Sequence, residues 1–265
     1  METKFINRLY YLIFFFFFSY ISFSQSSKKL EPIDIFSLEY VSDPHISPDG
    51  KKILYVRNFK DIMTDKNFSN LWMINFDGTN NTPITTGNKN DFSPIWSNSG
   101  KNFIYKSDSD GSVQLYIYRL NQGSIQKLTN MQSSIGSVDW SDDDKYLAFN
   151  SFVKESENNL IKMPEKPEGA KWNEPPIEID DINYRNDGRG YVKQGNTQIF
   201  TLPLEGGTPR QLTFFQKNVG SPKWLSNKEL LFSANLHENS DLEPNNSEIY
   251  LLNIETEKIK PLTSR

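Results

Sequence analysis

Cysteine is absent from this 265-residue sequence, and histidine occurs only as His45 and His237. Neither a disulfide nor a lipidated amino-terminal thiol can therefore hold the protein, and the Cys/His spacing of a zinc site is missing. An excess of positive charge is also lacking: 29 Lys and Arg stand against 33 Asp and Glu, a net charge of −4. The cations are scattered, which excludes the basic stripe that a nucleic-acid partner requires. No Gly-x-Ser-x-Gly elbow occurs, and neither histidine has a nucleophile and an acid arranged as a triad. Glycine-rich phosphate cradles are missing as well, so no cofactor and no metal is expected. After residue 40, no apolar positions recur at helical spacing between caps.

Long apolar runs are confined to the amino terminus. Lys4 and Arg8 precede the run from Leu9 to Ile21, and Ser22-Phe23-Ser24 follows with the small-x-small form of a cleavage site. That pattern predicts a signal peptide over residues 1–25 and export to a periplasmic or extracellular space. The alternative, a transmembrane anchor, calls for ~20 apolar residues, and this run is shorter.

What the sequence does contain is a repeat. The residues leading into polar turns are Ile46, Trp96, Trp140 and Trp224, at spacings of 50, 44 and 84. A third apolar element starts at Leu71, Leu115, Ile199 and Ile249, and each unit closes on Ile84-Thr85, Leu128-Thr129, Leu212-Thr213 or Leu262-Thr263, at spacings of 44, 84 and 50. The spacing of 84 is one 44-residue unit enlarged by an insertion of 40. A period of ~40 to 50 residues with several short strands per unit is the signature of a propeller blade. After each turn comes a strand such as Ile53-Leu54-Tyr55-Val56 or Phe103-Ile104-Tyr105, and aromatics make up 14% of the chain. The expected fold is all-β: an open, partial β-propeller of about four four-stranded antiparallel blades, with almost no helix. Blades are expected at about 40–87, 88–130, 131–213 with the insertion 151–193, and 214–265, within a domain spanning 26–265.

The repeats resemble known propellers. Ser-Pro-Asp-Gly-Lys-Lys-Ile-Leu-Tyr-Val at 47–56, Trp-Ser-Asn-Ser-Gly-Lys at 96–101 and Gly-Gly-Thr-Pro-Arg-Gln-Leu-Thr at 206–213 look like those of TolB and of the prolyl oligopeptidase family of serine peptidases. The insertion, with Trp172-Asn173-Glu174-Pro175-Pro176 and the run from Asp181 to Tyr191, is similar to a segment of the acylaminoacyl peptidase and dipeptidyl peptidase branch. The resemblance covers about residues 30–265. It implies a propeller that covers an α/β-hydrolase domain and gates peptide access to it, with that catalytic domain absent here. On this reading the chain alone hydrolyses nothing. The alternative is a free-standing TolB-like binding module.

Candidate binding residues sit in the insertion, because long loops on rigid scaffolds carry function. Tyr184, Arg185, Asp187 and Tyr191 supply two rings, a planar cation and an anion. Arg185 could grip a peptide carboxylate bidentately, or pair with Asp187 to shape the hairpin. Asn186-Asp187-Gly188 also reads as a tight turn, and Trp172 as a packing residue. Two acidic runs are read as turns: Asp142-Asp143-Asp144 in the slot of Pro48-Asp49-Gly50, and Asp108-Ser109-Asp110-Gly111, which lacks the downstream Glu of a calcium loop. Both histidines are expected to be solvated loop or turn residues.

Overall fold

The computed structural model describes residues 29–155, 164–173, 179, 182, 184–188 and 190–264. The expected signal peptide therefore lies outside the described residues. The chain divides into two units, residues 1–38 and 39–265. Within the first, Pro32–Ser37 forms a 3-10 helix whose preceding Glu31 N–H donates to the Asp34 carboxylate at 2.9 Å. Among the described residues no helix is long and apolar enough to cross a membrane.

The second unit is built of strands. The first sheet holds β1 (Tyr40–Ile46), β2 (Lys52–Asp61), β3 (Lys66–Asn75) and β4 (Thr82–Pro83), and the second holds β5 (Asp91–Trp96), β6 (Asn102–Ser107), β7 (Gln114–Arg119) and β8 (Ser124–Lys127). In the third region come β9 (Ile135–Trp140) and β10 (Tyr146–Lys154), then β11 (Arg185–Asn186) and β12 (Gly190–Tyr191) inside the insertion, then β13 (Gly195–Pro203) and β14 (Arg210–Gln211). The last sheet holds β15 (Lys223–Ser226), β16 (Glu229–Ala234), β17 (Glu248–Asn253) and β18 (Ile259–Pro261). These are the four antiparallel four-stranded blades of an open partial propeller, as the repeat implies. The third strands start earlier than the apolar pattern suggests. β3 begins at Lys66 and β13 at Gly195, because backbone pairing continues past the apolar residues to Asp61↔Lys66 and Lys154↔Gly195.

Each feature of the repeat has a structural cause. The residue before the turn plugs the gap to the preceding blade. The indole N–H of Trp96 donates to the His45 carbonyl at 3.0 Å, that of Trp140 to Ile95 at 3.3 Å and that of Trp224 to Asp139 at 3.3 Å. All three tryptophans thus occupy one position. Trp96 and Trp140 are buried, whereas Trp224 is half-buried. The closing threonine leaves the sheet ladder and its hydroxyl accepts the N–H at the head of the third apolar element. Leu71, Leu115, Ile199 and Ile249 donate to Thr85, Thr129, Thr213 and Thr263, each at 2.9 Å. One side-chain oxygen thereby satisfies a backbone donor that a longer fourth strand would have paired.

Between blades, aliphatic and aromatic faces meet. Leu54, Val56 and Leu71 of blade 1 pack on Trp96, Phe103 and Tyr105 of blade 2. Ile104, Leu115 and Ile117 of blade 2 meet Trp140, Phe149 and Phe200 of blade 3 in the same way. Blade 3 then presents Ala148, Ile199 and Leu212 to Leu230 and Phe232 of blade 4.

Candidate functional site

The blades have two ends, and they differ in how tightly the sequence constrains them. At the turn end, Ser47, Ser97 and Ser141 each accept a returning strand's N–H on the hydroxyl, from Lys52 at 2.9 Å, Asn102 at 3.4 Å and Tyr146 at 2.9 Å. Gly50 and Gly100 fill the last turn position with φ of 72° and 66°, the left-handed region that suits glycine. Asp144 takes that position in blade 3 at φ 56°. Its carboxylate reaches the previous blade, accepting the N–H groups of Asn98 at 2.7 Å and Ser99 at 2.8 Å. Asn227 repeats the move, its amide oxygen accepting the Asp143 N–H at 3.1 Å. The acidic run is a turn, as expected, but Asp144 is half-buried and links two blades rather than facing solvent alone.

The other acidic run is likewise committed to the fold. Asp108 accepts both the N–H and the side-chain amide of Asn90, at 2.9 and 2.7 Å. Asp110 accepts from Lys127 at 2.6 Å and from the Tyr116 hydroxyl at 3.0 Å, contacts that hold its carboxyl below the usual range. The two histidines differ. His45, at the end of β1, keeps its side chain 39% exposed, as expected of a solvated residue, and lies 2.9 Å from the Asp43 carboxylate. His237, in the β16–β17 loop, is half-buried with its Nε2 enclosed and without a partner among the described residues, and so is not the solvated residue expected.

The insertion leaves blade 3 at the opposite end. β10 and β13 stay paired to Lys154↔Gly195. Gly195 has φ 137°, and a Cβ there would lie 2.3 Å from the Val153 carbonyl, so the neck requires glycine. Further out, β11 and β12 form a small hairpin with Arg185 opposite Tyr191 and Asn186 opposite Gly190, and the Val192 N–H donates to the Tyr184 carbonyl at 2.8 Å. Directly opposed residues share a face of a pair, so Arg185 and Tyr191 stand side by side, with Tyr184 on the other face. Asp187 lies in the intervening turn. All four are exposed, Tyr184 to 47% and Tyr191 to 54%. Among the described residues Arg185 forms no ion pair with Asp187. Trp172 is also exposed, at 44%.

A depression of about 250 Å³ opens at the neck, lined by Val153, Lys154, Glu155, Gly195, Phe214 and Phe215 among others. Phe214 is 71% exposed. Sequence reasoning passed over this pair of rings. The signal was present: after the closing threonine, the other described units continue with Thr86-Gly87 and Asn130-Met131, and only the unit that carries the insertion has two phenylalanines.

A family model described as the TolB beta propeller domain matches residues 27–171, more than half of the chain. The uncharacterized peptidase YuxL of Bacillus subtilis is 30% identical over 216 residues, covering 81% of this chain and 32% of that protein. Dipeptidyl-peptidase 5 of Porphyromonas gingivalis is 30% identical over 131 residues, 49% of this chain and 19% of that one. The chain thus spans a third or less of the length of these relatives. Among solved structures, the acylaminoacyl peptidase of Pyrococcus horikoshii superposes with a TM-score of 0.63 at 17% identity, over 87% of this chain and 33% of that one, a likeness of fold.

Proposed function

Because this chain belongs to the TolB beta propeller family and its relatives include peptidases, we propose that it is the substrate-gating propeller portion of a secreted serine peptidase that acts on peptides. The partner in this reading is an α/β-hydrolase domain that supplies the catalytic groups, while the propeller admits extended peptides and excludes folded proteins. The observation that supports it is the insertion hairpin: an exposed Arg185, without an ion-pair partner among the described residues, beside Tyr191 on an arm extending from a rigid blade. A guanidinium fork matches a carboxylate in two parallel hydrogen bonds, and an adjacent ring adds apolar contact. Arg185 then takes the peptide's carboxylate, Tyr191 on the same face packs against the chain, Tyr184 is left to the other face of the hairpin, and Asp187 repels acidic peptides or takes an amino group.

Calorimetry with matched peptides tests this directly. A peptide with a free carboxylate should bind better than its amide, and Arg185→Ala should remove the difference, a loss of ~1.5 to 3 kcal/mol for a charge-assisted contact. Equal binding of acid and amide would end this reading. The family match also supports a second one, a free-standing TolB-like module in the periplasm; TolB of Alcanivorax borkumensis is 34% identical over 98 residues, 37% of this chain and 22% of that protein. The reading frame after codon 265 separates the two. A Gly-x-Ser-x-Gly elbow there supports the peptidase, and further repeats followed by a stop support the module.

A further inference from the structure

The link between β16 and β17, residues 235–247, differs from the other far-end loops in how its polar groups are satisfied. Seven enclosed side-chain atoms lack a hydrogen-bond partner among the described residues, and four of them fall in this one loop: Asn235 Oδ1, His237 Nε2, Ser240 Oγ and Asn246 Oδ1. The loop after β6 shows the usual condition, with Asp108 and Asp110 accepting from Asn90, Tyr116 and Lys127. Buried polar atoms are almost always paired, because an unpaired one forfeits its bonds to water. Four on one short loop call for a common cause.

The hydrogen bonds that are made fix the character of those that are not. Asn235 Nδ2 donates to the Glu243 carbonyl at 2.7 Å and to the Ser240 carbonyl at 3.5 Å. The same Glu243 carbonyl accepts the Asn246 N–H at 3.1 Å, and Asn246 Nδ2 donates to the Glu243 carboxylate at 2.9 Å. Carbonyl and carboxylate oxygens only accept, so neither side-chain amide can be turned over, and both Oδ1 atoms remain acceptors without a donor. Ser240 joins this knot through its carbonyl and through its N–H, which donates to the His237 carbonyl at 3.2 Å; the residue is 6% exposed and its hydroxyl is idle. The loop holds no Lys or Arg, yet it carries Glu238, Asp241 and Glu243. Lys217 neutralises Asp241 at 2.8 Å. Glu243 instead borders an open depression of about 580 Å³, together with Pro244, Asn245 and Asn246.

We propose that this loop binds a hard divalent cation of the calcium class. Asn235 Oδ1, Ser240 Oγ and Asn246 Oδ1 supply neutral oxygens, Glu243 supplies charge from the rim of the depression, and water and loop carbonyls complete the shell of about six to eight oxygens that calcium takes. A single ion answers three orphaned acceptors at once, in a loop that has no Lys or Arg to do so. Calcium suits these ligands better than magnesium, which demands a near-ideal octahedron and gives up its water reluctantly. It also suits them better than zinc, which favours nitrogen and sulfur and would find only His237 in this loop. No three Asp, Glu, His or Cys side chains gather as a metal set among the described residues. With one carboxylate in the shell, the affinity belongs to the weak class, ~0.1 to 1 mM.

The experiment is thermal unfolding of the chelator-treated protein, with calcium chloride added from about 0.01 to 10 mM at constant ionic strength, a range that brackets the weak class of site. The melting temperature is expected to rise and then level off within that range, since a ligand of the native state stabilises it by mass action. Magnesium and zinc should each do much less. Ser240→Ala separates binding from folding. Its hydroxyl has no partner among the described residues, so without calcium the variant should melt like the unmodified protein, and it should need at least ~10 times more calcium for the same shift. Glu243→Gln should lose as much by removing the charged ligand, whereas Glu238→Gln, an exposed carboxylate outside the knot, should keep the full response. A melting temperature indifferent to calcium overturns the proposal, as does an equal response to magnesium or zinc. An unaltered calcium response in either Ser240→Ala or Glu243→Gln also overturns it, and so does an equal loss in Glu238→Gln, which would mark general screening of the loop's negative charge.

Discussion

The two ends of the blades follow different rules. At the turn end, three blades repeat one construction, with a serine hydroxyl receiving the returning strand and a left-handed residue closing the turn. At the far end, the links between second and third strands are residues 62–65, 108–113, 155–194 and 235–247, and no two are alike. Yet the far end is not loosely made. Beneath those links in the first three blades runs a belt of buried polar groups, in which the closing threonines Thr85, Thr129 and Thr213 and the side chains of Asn70, Gln114 and Gln198 hold the chain as it crosses to the next blade. Gln114 accepts from the Thr129 hydroxyl and the Met131 N–H, and donates to the Met131 carbonyl; Gln198 clamps Phe215 through its N–H and carbonyl in the same way. A polar belt at the base permits variable loops above it, and this separates the parts that fold the protein from those whose sequence is free to vary.

The largest effect expected is at the turn end. Trp140 is 6% exposed and wedged between two blades, so Trp140→Ala should cost ~3 to 5 kcal/mol in chemical unfolding. Trp224→Ala should cost clearly less, because that ring is half-buried. Equal losses would mean that the wedge position, and not the neighbouring blade, sets the energy. At the far end, Thr129→Val keeps the shape and removes the hydroxyl. It strands the Leu115 N–H and takes one donor from Gln114, both buried. Leaving such groups unpaired costs ~1 to 3 kcal/mol. A loss below that range would show the belt to be dispensable and the contrast between the ends to be one of loops alone.

Asp144 sharpens the comparison on a smaller scale. Replacing its carboxylate with Ala removes the two bonds to Asn98 and Ser99 but keeps the left-handed backbone. The expected loss is ~1 kcal/mol, in line with other side chains that cap free backbone N–H groups. Asp144→Gly should lose less, because glycine adopts a positive φ without strain. If the two variants unfold alike, the φ angle contributes nothing and the link between blades accounts for the whole effect.

Much of this was legible in the sequence. The positions of Trp96, Trp140 and Trp224, and of the closing threonines, are equivalent because a repeated sequence must solve one packing problem repeatedly. The role of Asp144 was not legible, since its partners lie in another turn some 45 residues away and local pattern reads only a hairpin. Phe214 and Phe215 were missed for a related reason: they follow a closing pair, where strand periodicity has ended. His237 was misjudged because burial in a loop depends on the loop's path, which no periodicity encodes. In the insertion the sequence marks residue types well, but a hairpin of two-residue strands has no periodicity from which its facing could be read.

The smallest expected change in stability belongs to Arg185, and it decides what the variable end is for. Its side chain is exposed and unpaired with Asp187 on a hairpin whose backbone bonds do not involve it. Surface substitutions of this kind usually stay within ~0.5 kcal/mol, so Arg185→Ala should unfold at nearly the same denaturant concentration as the unmodified protein. The same variant should lose ~1.5 to 3 kcal/mol of affinity for a peptide carboxylate, and Arg185→Lys should recover only part of that, because an ammonium lacks the planar fork. Tyr191→Ala, across the hairpin, should weaken acid and amide peptides equally, since a ring contributes contact area without reading charge. The pattern that would break the contrast between the two ends is the reverse one, in which Arg185→Ala destabilises the fold and leaves peptide binding unchanged. The insertion would then belong with the belt below it, as structure.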